Sequence, residues 1–178
     1  MKKIMMLTTG MLLISASAFA QSVGEKTGVN STLGISPTTP DFVKEAAMSD
    51  MTEIAASKIG EERGNAPEKA FSGQMITDHT KTSTELKGLV SGGEVKADIP
   101  AALDSSAQSK VDKLKNAKPA DFSSDFDSMQ VSAHKDAVSL FERYAKGGDN
   151  PKLKDWAGKT LPTLQHHLEM ARDLEKKK

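Results

Sequence analysis

The chain has 178 residues, 24 Lys and Arg against 24 Asp and Glu, 4% aromatic residues and no cysteine. A balanced charge excludes the electrostatic grip on phosphate that nucleic-acid binding requires. The missing thiols exclude disulfides and thiolate metal sites, so any bound metal must be held by nitrogen and oxygen.

The chain opens with a basic pair, Lys2 and Lys3, an apolar run from Ile4 to Ile14, and Ala18-Phe19-Ala20 ahead of Gln21. These are the three parts of a secretory signal peptide, expected over residues 1–20. The run is too short to cross a bilayer, and without cysteine the mature end cannot be lipidated. No later segment has the length and apolarity of a membrane span, so the expectation is a periplasmic protein that is not integral to a membrane. Cleavage removes two lysines, leaving 22 basic residues against 24 acidic ones and a formal charge of −2.

Residues 21–38 are rich in Gly, Ser and Thr and poor in large apolar groups, the composition of a flexible linker. A helical pattern follows over 39–176, and strand-like alternation is absent. Thr39-Pro40-Asp41 supplies a cap, a proline and an acid for a helix from Phe42 to Glu62, which Gly64-Asn65 stops. Pro67 opens a second helix to about Val90, and Ser91-Gly92-Gly93 ends it. The connection is short enough to make the pair an antiparallel hairpin. A short helix over Ser105 to Asn116 belongs to the crossover that follows. Lys118-Pro119-Ala120-Asp121 opens a third long helix to Lys146; Gly147-Gly148-Asp149-Asn150 breaks the chain, and Pro151 starts the fourth, to about Leu174. Two hairpins joined by a crossover make an all-α four-helix bundle.

Helical steps of about 100° sort the side chains into inward and outward faces. Phe71, Met75, His79, Thr82, Leu86 and Leu89 form one stripe on the second helix. On the third, Phe122, Phe126, Met129, Ala133, Ala137, Leu140, Phe141 and Tyr144 mark the apolar sector, with His134 on its flank. On the fourth, Leu153, Ala157, Thr160, Leu164, Ala171 and Leu174 mark it, with His167 inside and His166 on the charged side. On the first, Phe42, Ala46, Ser49, Glu53, Ala56 and Gly60 share a stripe of small residues, while Val43, Ala47 and Ile54 suggest a second one. Pro162 falls inside the fourth helix and predicts a kink, eased by the bare backbone of Gly158.

Glu53, His79, His134 and His167 thus face inward near the middle of four different helices. Four such groups are costly to bury singly, which makes them the candidate ligands of one metal site. The competing explanation is a metal-free polar layer, with Thr82 and Ser49 satisfying the imidazoles and Glu53 paired to one of them. No nucleophile-base pair, phosphate loop or pair of acid-base carboxylates marks an enzyme.

Four stretches carry a family resemblance. They are Asp41-Phe42-Val43 with Ala46-Ala47 and Glu53-Ile54; Met75-Ile76-Thr77-Asp78-His79-Thr80-Lys81 with Glu85-Leu86; Ala133-His134-Lys135-Asp136-Ala137-Val138 with Leu140-Phe141; and Lys159-Thr160-Leu161-Pro162-Thr163-Leu164 with His167-Leu168. In their order and spacing, from Asp41 to Leu174, they resemble the family called domain of unknown function 4142. The resemblance implies a ferritin-like four-helix bundle in exported bacterial proteins, with no settled activity, and its polar core positions correspond to Glu53, His79, His134 and His167. The label of outer membrane protein that the family often carries has no support in this sequence.

Ferritin-like need not mean ferritin chemistry. Di-iron bundles use several bridging carboxylates and Glu-x-x-His pairs, whereas no histidine here follows a glutamate by three residues. A mononuclear centre is favoured, with a donor set that suits zinc in closed tetrahedral geometry and copper, iron or manganese if a position stays open. The sequence therefore leads to an exported metal-binding bundle concerned with metal or oxidative stress, and, as the alternative, to a metal-free interaction module of the cell envelope.

Overall fold

The computed structural model describes residues 29–176. The signal peptide expected over 1–20 and the linker residues before 29 lie outside the described residues. Six helices follow: α1 Val29–Leu33, α2 Thr39–Arg63, α3 Ala66–Ser91, α4 Ser105–Lys115, α5 Phe122–Gly147 and α6 Pro151–Lys176. No strand occurs among the described residues, and the protein is all-α, as expected.

Local chemistry sets the helix ends. Thr38 rather than Thr39 caps α2, its hydroxyl accepting from the Asp41 amide, with Pro40 in the first turn. Asn65 and Glu68 form a reciprocal capping box at α3. The Asp104 carboxylate caps α4, and the Asn150 side chain accepts from the Leu153 amide at α6. The run Lys118 to Asp121, read as the opening of the third long helix, is a turn ahead of α5, and Asp121 makes no side-chain cap bond. The C-terminus of α4 is closed from another helix. Arg63 donates to the carbonyls of Leu114, Lys115 and Ala117, satisfying groups that a helix end leaves unpaired.

The four long helices pack as two hairpins, α2 with α3 and α5 with α6, while α2 also meets α5 and α3 meets α6. One end of the bundle is marked by Thr39, whose hydroxyl bonds Tyr144 and Asp149, and by Asn150, which donates to the Glu94 carbonyl. The other end gathers Arg63, the end of α4 and Phe122, with the guanidinium 4.4 Å from the Phe122 ring centroid. Each neighbouring pair is therefore antiparallel. The crossover carrying α4 runs back along α2, returning the chain to the end where α5 begins.

Two apolar clusters fill the bundle. Phe42, Leu86, Phe141, Tyr144, Leu153 and Trp156 dominate one, and Phe71, Met75, Leu114, Phe122, Phe126 and Leu174 the other. Gly60 lets α2 close on its neighbours, since a Cβ there would collide with Ser72 Oγ and the Phe126 ring. Between the clusters lies a polar layer. Along α2 it holds Asp50 and Glu53, along α3 His79, along α5 Gln130 and His134, and along α6 His167, all buried.

One reading of a helix face needs adjustment. On α5 the inward face is turned from the expected one: Met129 and Ala133 are only half-buried, while Gln130 and His134 are 0% and 1% exposed, so His134 lies at the centre rather than the flank. Pro162 and Gly158 are both exposed, which places the carbonyl deprived of its amide on the solvent face of α6. Part of the segment read as a linker is ordered against the bundle. Helix α1 lies on α5, with Ser31 and Ser139 hydroxyls 3.1 Å apart, and Arg143 donates to the Ile35 carbonyl at 2.7 Å.

Candidate metal centre

The polar layer brings the three inward histidines together. Their ring centroids form a nearly equilateral triangle, 5.7 Å from His79 to His134 and 5.5 Å for each of the other pairs. One nitrogen from each ring lies within 4.8 Å of the other two. Donors at tetrahedral angles and about 2.0–2.1 Å from a metal are about 3.4 Å apart, so a modest turn of each ring would close the triangle onto an ion.

Each imidazole is held by its outward nitrogen. His79 Nδ1 lies 2.8 Å from Asp50 Oδ1, His134 Nδ1 2.8 Å from the Gln130 carbonyl, and His167 Nε2 2.8 Å from Asp78 Oδ2. Carboxylates and carbonyls only accept, so each of these ring nitrogens carries the proton and donates it. A neutral imidazole has one donor and one acceptor nitrogen. In the neutral rings the remaining nitrogens, His79 Nε2, His134 Nε2 and His167 Nδ1, present lone pairs, and all three are buried without a hydrogen-bond partner.

Further partners fix the acceptors. Asp50 accepts from Thr82 at 2.9 Å and Ser83 at 3.1 Å, and Asp78 accepts from the Gln74 amide at 2.7 Å. Phe71 stands edge-on to His134, with centroids 6.1 Å apart. Such outer partners orient imidazole ligands and raise their basicity in metal sites.

Glu53 is 1% exposed, and both its carboxylate oxygens are buried without a hydrogen-bond partner. Its charge acts on His79 and His134, which places it beside the triangle, although it is not one of the three groups that meet within 4.8 Å. The structure thus joins His79, His134 and His167 and sets Glu53 next to them. His166, one position along α6, is exposed.

The histidines differ in basicity. Burial pushes His79 down, but its hydrogen bond to Asp50 and the charges of Asp50, Glu53 and Asp78 outweigh this and raise its pKa above 6.5. Burial lowers His134; the charge of Glu53 opposes and His79 reinforces the effect. Burial takes His167 to about 4, against the pull of Asp78. Asp78 is depressed: burial raises it, but the bonds from Gln74 and His167 and the charges of His167 and His79 prevail.

Sequence reasoning missed Asp50, Asp78 and Gln130. It offered Ser49 and Thr82 as imidazole partners, whereas Thr82 bonds Asp50 and the Asp50 carboxylate bonds His79. Asp78 is the chain neighbour of His79 yet bonds His167 on another helix. The Gln130 contribution comes from its backbone, four residues before His134, and leaves no side-chain signal.

No helix among the described residues is long and apolar enough to cross a membrane. Comparison with curated proteins and with solved structures finds no match. The family described as Domain of unknown function (DUF4142) matches over residues 24–174, most of the chain and all four long helices, and the chain belongs to that family.

Proposed function

We propose that the protein is a metal-binding helical bundle with one mononuclear centre, ligated by His79, His134, His167 and Glu53. One observation carries this reading. Three imidazole nitrogens that meet within 4.8 Å lie buried beside the Glu53 carboxylate, and none of these groups has a hydrogen-bond partner. Four acceptors without a donor make a site of high negative potential. A metal cation satisfies all of them at once, whereas one proton satisfies two at most.

The donor set suits zinc, and also copper, iron or manganese. Asp50 and Asp78 lie behind the imidazoles, on their outward nitrogens, so they are placed to orient ligands rather than to bridge two metals. That favours a single ion over a di-iron centre. The one long crossover is a connection used by ferritin-like bundles, which supports that fold class without importing its chemistry. The leader sequence supports export to the periplasm, where such a centre would serve in handling metal or oxidative stress.

A metal-free envelope module is less well supported. Large exposed apolar side chains among the described residues are Leu33 and Ile35, both outside the four long helices.

Elemental analysis and calorimetric titration of untagged mature protein test the reading. One ion per chain is expected, with binding lost or sharply weakened in His79→Ala, His134→Ala and His167→Ala and retained in His166→Ala. Unchanged affinity in the three buried variants would refute it.

A further inference from the structure

Although the imidazoles are buried, Glu53 also borders open space. Between α2, α4 and α5 lies a cleft of about 680 Å3, and Glu53 is part of its wall while being only 1% exposed. Ser49, Thr52 and Ala133 flank the carboxylate there, and Asp104 and Asp136 add negative charge alongside Lys44 and Lys110. Glu53 thus lines the cleft while its charge acts on His79 and His134 in the core.

We propose that this cleft is the path by which a hydrated divalent metal ion reaches and leaves the centre, with Glu53 the first ligand it meets. The proposal rests on the metal reading above and extends it to how the site loads.

Three observations carry it. Two other approaches hold side chains already in use: Asp78 bonds His167 and Gln74 between α3 and α6, and Asp50 bonds His79, Thr82 and Ser83 between α2 and α3. The apolar clusters close both ends. On the cleft side, by contrast, the residues around Glu53 are small, with Ala133 and Ser49 on opposite walls.

The second observation is capacity. Six waters at about 30 Å3 each occupy about 180 Å3, so the cleft admits an ion with its hydration shell. Last, neither Glu53 oxygen is tied by a hydrogen bond. A free carboxylate at the neck can take the place of a departing water and then hand the ion to the three nitrogens, lowering the cost of dehydration at each step.

Stopped-flow binding of Co2+ to the mature chain, followed by the visible absorbance of the bound ion, tests the route. Ala133→Leu narrows the neck without replacing a ligand. It is expected to slow association and dissociation together by about tenfold or more, the effect of about 1.4 kcal/mol of added barrier, while equilibrium affinity stays near that of wild type. Thr163→Leu places a leucine on the exposed face of α6, four residues before His167, and is expected to change neither rate. Should Ala133→Leu fail to give a helical circular dichroism spectrum, Ser49→Leu narrows the neck from α2 instead.

Unaltered rates in a folded, narrowed variant overturn the route while leaving the metal reading intact. Slowing by Thr163→Leu to the same degree overturns it as well. Absence of equilibrium Co2+ and Zn2+ binding in the wild type removes the metal reading itself, and the route with it.

Discussion

Replacing Glu53 with Met should stabilise the metal-free protein and weaken its response to metal. Glu53 is 1% exposed with neither oxygen hydrogen-bonded, and its nearest polar company is a set of imidazole lone pairs. An unsatisfied buried polar group costs about 1–3 kcal/mol, and a charged one more. Met fills a similar volume with a flexible apolar chain. In chelator at pH 8, Glu53→Met is therefore expected to gain about 1–3 kcal/mol, which for a domain of this size raises Tm by about 3–10 °C. Metal should invert the order. At a free concentration 100 times its Kd, an ion stabilises the wild type by about 2.7 kcal/mol, and the variant, one ligand short, gains less at that concentration. Thermal melts in chelator and in zinc read both effects. Below the raised pKa of His79 the imidazolium offsets the Glu53 charge, so the benefit of Met should shrink as pH falls. A variant that is less stable in chelator at pH 8 and responds to metal like wild type would refute the argument, because Glu53 would then be held by protein groups.

The outer partners should matter less than the ligands but measurably: Asp50→Asn and Asp78→Asn are each expected to weaken zinc by about 10–100-fold with stoichiometry unchanged, by titration against a competing chelator. Loading pH depends mainly on His79, whose pKa is raised, since His134 is lowered and His167 lies at about 4; just below pH 6.5, log affinity should rise with pH with a slope nearer one proton than three. For the metal-free fold, His167 carries the opposite sign to His79. The unfolded chain protonates His167 near 6.5 and the folded one at about 4, so its contribution is lost as pH falls through that window, and His167→Gln should flatten the acid limb of a stability profile. Export predicts mature protein beginning at Gln21 in the periplasmic fraction; an intact N-terminus in the cell would refute cleavage there.

Much of the bundle was legible because Gly and Pro break the chain where the helices end, and because Phe71, Met75, His79 and Leu86 recur at helical spacing. The same spacing exposed the inward histidines, since a residue between two core positions on one stripe is carried inside with them. His134 was harder to place. Its helix has small or medium residues on both sides of the apolar sector, so Ala133 and His134 compete for the centre, and the contact of α5 with both α2 and α6 decides in favour of His134.

What stayed hidden depends on two helices at once. Asp78 lies off the inward stripe of α3, a position that sequence alone assigns to solvent, and it becomes part of the centre only because His167 of α6 comes to 2.8 Å. Asp50 likewise gains its role from His79, Thr82 and Ser83 on the facing helix. These flanking acids give the site its direction. By accepting the outward protons of His79 and His167 they turn the other nitrogen of each ring inward, where it carries a lone pair whenever the ring is neutral, and the Gln130 carbonyl does the same for His134. The three inward nitrogens and the Glu53 carboxylate then lie together without hydrogen-bond partners, held between the two apolar clusters. A structural polar layer would be expected to pair donors with acceptors across the core; this one pairs them only around its rim, which is the arrangement a cation at its centre would complete.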